Sequence, residues 1–221
     1  MKKAFKTLRL AFGTFVFTLI CAAFINGQRE FKLVSNSKNV GVTVKVGECS
    51  AKIPYHCPAK FQLFHKGNNR PFQTISLVTS FSDPNDIQDI EFGDFNFDGL
   101  EDLAISDGRN GGYLTASYHI FLFSRELRRY VHNADFTKLS QGPAMGLFEV
   151  DKRKKILYRQ YRTGCCYFVK EGYDVYMMRP RKVYELIQDE SSADRIWDVT
   201  TTKKFINGRW RTWVKRERAS K

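Results

Sequence analysis

The chain has 221 residues, a formal net charge of +13 at pH 7 and 14% aromatic residues. That length suits one domain with a real core. The excess of Lys and Arg turns the search for partners towards anionic ones: nucleic acid inside a cell, acidic proteins, glycans or lipids outside it. No G-x-S-x-G elbow, H-E-x-x-H pair, P-loop or dinucleotide fingerprint occurs, which excludes the enzymes those motifs define and leaves a binding protein as the expectation.

Residues 1–27 read as a signal peptide, with the domain occupying 28–221. Lys2, Lys3, Lys6 and Arg9 precede an apolar run from Leu10 to Phe24 that is too short and too abruptly ended to cross a membrane. Cleavage after Ala23 or Gly27 meets the small-residue requirement. Cys21 stands where a lipoprotein cysteine would, but Thr18-Leu19-Ile20 lacks the small residue expected upstream. The expectation is export, in a manner that suits the periplasm of a Gram-negative bacterium. Four of the thirteen charges leave with the segment, and the mature chain keeps +9.

Four cysteines then remain, Cys49, Cys57, Cys165 and Cys166, an even number that implies two disulfides in an oxidising compartment. Neighbouring residues of a strand point to opposite faces. Either Cys165 and Cys166 staple to Cys49 and Cys57, or a Cys49–Cys57 hairpin staple stands beside a vicinal pair. No C-x-x-C or H-x-x-x-H pattern accompanies them to make a zinc centre.

Along the chain, turn signals separate short alternating segments, the pattern of an all-β fold of antiparallel strands. Val40 to Val46 alternates cleanly. Phe61 to His65 and Phe72 to Val78 flank a hairpin turn at Lys66-Gly67-Asn68-Asn69. Leu103 to Ser106 and Tyr118 to Phe123 are the next strands, and Arg125 to Val131 and Asp135 to Leu139 read as short helical turns. Phe148 to Val150 turns at Asp151–Lys154 into Lys155 to Tyr161. Tyr173 to Met178 returns through Arg179-Pro180-Arg181 into Val183 to Ile187. Asn207-Gly208 separates the last hairpin, Thr200 to Ile206 and Arg209 to Val214. The expected architecture is a single all-β domain, a propeller-like or sandwich-like sheet without internal repeats.

Between the first and second halves lies Asp94-Phe-Asn96-Phe-Asp98-Gly99-Leu100-Glu-Asp102. Ca²⁺ takes six to eight oxygen ligands, and alternating short side chains let one tight loop supply several. Asp94, Asn96 and Asp98 would give side-chain oxygens, Leu100 its carbonyl, and Asp102 a carboxylate directly or through water. Gly99 takes the bend. An EF-hand would carry Glu at the twelfth position, which is Ile105 here, so the loop feeds a strand instead of a helix. The glycine-rich segment Asp107 to Thr115 follows, with Asp107 or Asn110 as an extra candidate ligand. His56, His65, His119 and His132 show no spacing that suggests a site.

Asp94 to Ile105 resembles the calcium loop of FG-GAP repeats. With GRNGGY, SYHIFLF, LFEVDKRKK and YRTGCCY, the stretch from Asp89 to Val175 resembles a family of bacterial periplasmic proteins related to lysozyme inhibitors. Some of these resemble immunity proteins against peptidoglycan-degrading effectors delivered by bacteria-killing type IV secretion. The resemblance implies a β-rich, calcium-binding domain that plugs the cleft of a lysozyme-like hydrolase. Lysozyme inhibitors of this kind insert a Ser-Gly-x-x-Tyr loop, and the matching positions here are Thr163, Gly164 and Tyr167, with Thr in place of Ser. The calcium loop is expected to stiffen the corner that presents this neighbouring plug. The alternative is a calcium-stabilised adhesion or envelope-binding module without inhibitor activity.

Overall fold

The computed structural model describes residues 29–49, 57–79, 90–190 and 197–218. The signal segment, Cys21, His56 and Asp89 lie outside the described residues. Within them the chain is all-β with a single α-helical turn, as expected, and its strands form three antiparallel meanders.

The first sheet runs β1 (Arg29–Leu33), β2 (Val40–Val46), β3 (Cys57–His65) and β4 (Gln73–Thr79) in sequence order. The second runs β5 (Ile90–Gly93), β6 (Asp102–Gly108), β7 (Ser117–Ser124) and β8 (Arg129–His132). The third holds β9 (Glu149–Asp151), β10 (Ile156–Thr163), β11 (Tyr167–Tyr176), β12 (Arg179–Asp189), β13 (Trp197–Ile206) and β14 (Arg209–Arg218).

The second sheet is the middle layer, and β6 shows it by being buried along its whole length. Leu103 and Ile105 point one way, into a cluster with Val42, Val44, Phe61 and Leu63 of the first sheet. Ala104 points the other way, into a cluster with Ile120, Phe136, Phe148 and Leu157. Period-2 alternation divides one strand between two cores. Both edges of the middle sheet are closed by amide side chains acting as strand backbone. Asn36 exchanges bonds with the N–H and C=O of Phe92 on β5 (2.7 and 3.1 Å). Gln73 does the same with Tyr130 on β8 (2.8 Å each). Edges that would otherwise present unpaired N–H and C=O groups are thereby occupied.

Three local expectations are corrected. Arg125 to Val131 is not helical: β7 and β8 are joined by a tight turn in which Arg128 takes φ 50°. The turn of the β11–β12 hairpin is Met177-Met178, both left-handed (φ 48° and 59°), and not Arg179-Pro180-Arg181. Pro180 sits as the second residue of β12, opposite Val175, near a strand start where a missing N–H is tolerated. The strands of the third sheet also run longer than their alternation suggested, β11 beginning at Tyr167 and β14 reaching Arg218. Asp135 to Leu139 is helical as expected. Its turn α1 (Ala134–Thr137) is capped by Asn133, whose side chain accepts from the N–H groups of Asp135 and Phe136.

Candidate functional site

The loop joining β5 to β6 folds its acidic side chains onto its own backbone. Asp94 accepts the N–H groups of Asp98 and Gly99 through its two oxygens (3.0 Å each). Asn96 Oδ1 accepts Asp98 N–H at 3.1 Å, and Asp98 Oδ1 accepts Leu100 N–H at 2.8 Å. Asn96 also donates its amide to Asp98 Oδ2 at 2.9 Å. The first, third and fifth positions therefore converge. Phe97 and Gly99 make the convergence possible by taking left-handed backbone (φ 62° and 84°). At Gly99 there is open space where a Cβ would stand, so its conformation and not crowding calls for glycine. Phe95 anchors the loop by packing edge-on against Phe148 at 5.3 Å.

Asp102 behaves differently from its partners in the motif. It is fully buried. One carboxylate oxygen accepts Phe95 N–H at 2.8 Å and Asn96 N–H at 3.4 Å, while the other accepts Phe123 N–H on β7 at 2.8 Å. Burial pushes its carboxyl up to about 7, opposed by those backbone donors and reinforced by the Asp98 charge. Asp102 thus ties the loop to β7, and it would serve a cation only through lone pairs those bonds leave over.

As a cation site the loop offers hard donors alone: two carboxylates, one amide oxygen and the Leu100 carbonyl, which fits Ca²⁺ and not a soft metal. Among the described residues no three His, Cys, Asp or Glu side chains gather as a ligand cluster. A site here is therefore a mixed one that depends on Asn96 and Leu100.

Asp107 stands five residues further along β6, at its other end, about 17 Å away at the rise of an extended strand. It holds the Ser117 hydroxyl and lies 3.2 Å from Nε2 of His119. The segment after it, including Asn110, therefore does not line the Asp94–Asp102 loop. Two of the four histidines do meet: the rings of His119 and His132 lie 5.6 Å apart, brought together by the β7–β8 hairpin that their sequence spacing conceals.

The Thr163 to Tyr167 segment is the tip of the β10–β11 hairpin, with Thr163 and Tyr167 as the last cross-strand pair. Gly164 is left-handed (φ 67°) with open space where a Cβ would stand, and Thr163, Gly164 and Cys165 are exposed. The two disulfides are Cys49–Cys57 and the vicinal Cys165–Cys166, which decides between the pairings left open above. Arg162 donates to the Cys165 carbonyl at 2.7 Å and Glu190 N–H to that of Cys166 at 2.8 Å. A hollow of about 320 Å³ opens beside the tip, bordered by Met145, Tyr167 and Phe168.

One residue that sequence reading missed braces this tip. Tyr113 donates its hydroxyl to the Gly164 carbonyl at 2.7 Å. Tyr113 and Leu114 both adopt left-handed backbone (φ 55° and 59°) and stand 60% and 76% exposed. Conformations that glycine takes freely cost other residues about 1 kcal/mol or more each. The Gly111-Gly112 pair before them is the only sequence hint of so tight a loop. Because Tyr113 follows the far end of β6, the hairpin tip and the Asp94–Asp102 loop lie at opposite ends of the middle sheet. At the loop's own end stands the Met177-Met178 turn, where Met178 borders a groove with Asp98 and Leu100. The expectation that the loop presents a neighbouring plug is thereby corrected: strand direction separates them.

The fold and these two loops define an all-β domain of three stacked meanders. It is similar to a solved structure described as a Xanthomonas type IV secretion system related protein, with TM-score 0.62 and 19% identity over 86% of this chain and 96% of that one. No protein-family profile and no curated protein matches the chain.

Proposed function

We propose that this protein is an exported inhibitor of a lysozyme-like peptidoglycan glycoside hydrolase, acting in the periplasm as an immunity protein, with Ca²⁺ as a structural ion. The observation that carries the reading is the β10–β11 tip. A hydroxyl at Thr163 and a bare Gly164 let a narrow turn approach a carboxylate at the bottom of a cleft, while the Tyr113 bond and the vicinal disulfide hold that turn in shape before it docks. Prior ordering lowers the entropy cost of association. Tyr167 adds contact area with few rotors to freeze. The likeness to a type IV secretion related protein supports a setting in which such effectors are exchanged.

In this reading Asp94, Asn96, Asp98 and the Leu100 carbonyl hold the ion, with Asp102 bracing them from below. The ion supplies countercharge that lets the acidic side chains stay together. With the tip at the other end of the sheet, the ion secures the fold and takes no part in the contact with the enzyme.

The test is loss of lytic activity when the protein is mixed with lysozymes of several types and with lytic effectors encoded beside it. Inhibition in at least one pairing is expected. Gly164→Arg should abolish it while the protein stays folded: the added side chain meets open space, and the left-handed backbone at φ 67° costs about 1 kcal/mol, a small drop in melting temperature. Undiminished lysis in every pairing rejects the proposal, and full inhibition by Gly164→Arg rejects the tip.

A further inference from the structure

We propose that the β13–β14 ribbon docks the protein onto an anionic phospholipid surface, lying at headgroup depth. Independently of the inhibitor reading, composition and exposure single out this ribbon. Residues 197–218 carry seven basic residues against two acidic ones. Every residue of β14 is exposed, and the strand is the free edge of its sheet. The chain's three tryptophans are all here, Trp197, Trp210 and Trp213, each 44–47% exposed.

The register decides what kind of partner this fits. One face carries Lys204 beside Arg211 and Thr202 beside Trp213; the other carries Phe205 beside Trp210 and Val199 beside Arg216. Tryptophan and arginine thus appear on both faces. A polymer strand or a flat protein surface would reward one face and leave the other's indoles in water. A lipid interface surrounds a ribbon on both sides, accepting indole rings at the boundary while guanidinium groups reach phosphates. The headgroup layer is hydrated enough to satisfy the edge backbone, which the hydrocarbon core could not do. A second copy pairing along β14 is disfavoured, because it would oppose Arg and Lys to their like.

The placement of the tryptophans makes the test direct. With the full chain, phosphatidylglycerol vesicles should shift intrinsic fluorescence to shorter wavelength, and brominated lipid should quench it. Phosphatidylcholine vesicles should do neither, and high salt should reverse the effect. Arg211→Ala with Arg216→Ala should weaken vesicle binding roughly thirtyfold; circular dichroism checks that this variant keeps its fold, and the wild-type quenching stands without it. Vesicle binding that leaves the tryptophan emission unmoved would place the contact elsewhere in the chain and overturn the proposal. So would absence of binding, insensitivity to salt, undiminished binding by a folded double variant, or a shift produced by heparin or oligothymidylate and not by vesicles.

Discussion

Asp98 and Asp102 stand four positions apart in one loop, yet burial separates their roles. Asp98 is exposed and its oxygens serve the loop's interior, whereas Asp102 holds three backbone N–H groups from beneath. Asp102→Asn turns an amide nitrogen towards one of those donors. A buried donor left unpaired costs about 1–3 kcal/mol, and urea unfolding should show this loss equally in calcium and in EDTA. Asp98→Ala should change little in EDTA and forfeit the stabilisation by calcium. Were Asp102→Asn destabilising only when calcium is present, Asp102 would be a ligand and not a brace. The oxygen spacing of the loop was legible from the sequence because alternation is local. The burial of Asp102 was not, since it depends on β7 arriving over it.

At the scale of elements, the third sheet is laced by charge. Glu171 takes Arg159 at 2.6 Å, Lys182 at 3.0 Å and the Tyr173 hydroxyl at 2.8 Å. Glu185 takes Lys182 at 2.7 Å and Lys203 at 2.6 Å. Burial alone would raise the Glu171 carboxyl, but those three hydrogen bonds outweigh it and hold the group below its ordinary 4.5. A depressed carboxylate gives stability that is present above about that pH and lost as pH falls through the folded value. The acid limb of melting temperature against pH should therefore be steeper in wild type than in Glu171→Gln. At the hairpin tip, Tyr113→Phe removes one hydrogen bond worth about 0.5–1.5 kcal/mol. The inhibition constant against a sensitive hydrolase should rise by up to about tenfold.

The same scale explains what sequence patterning could and could not reach. Val40 to Val46 and the Asn207-Gly208 turn were readable because alternation and turn chemistry speak for themselves. The Met177-Met178 turn was hidden: neither residue favours a positive φ, and Pro180 next to it imitated a turn. Arg125 to Val131 looked helical, but the hairpin partner Phe121 to Ser124 settles those residues as turn and strand. Tyr113 reached Gly164 from 51 residues away, a contact no local pattern contains. Cys165 and Cys166 left their pairing open because strand geometry argues against a bond between neighbours, and only the turn lifts that objection.

For the whole molecule, the separation of the Asp94–Asp102 loop from the hairpin tip makes stability and inhibition independent readouts of the proposed function. An ion bound only by the folded state contributes RT ln(1 + [L]/Kd), about 2.7 kcal/mol at a hundredfold excess over Kd. In a domain of this size that is roughly 5–10 °C of melting temperature. EDTA should lower the melting temperature by that amount while inhibition, measured well below melting, stays unchanged. A parallel loss of both would mean that the two ends of the sheet communicate.

Every ladder among the described residues joins strands that are consecutive in the chain. Such a polypeptide can zip its pairings hairpin by hairpin, closing only short loops, with no early wait for remote segments to find each other. Assembly then proceeds in stages, and the slow event becomes the stacking of preformed meanders across their two hydrophobic seams.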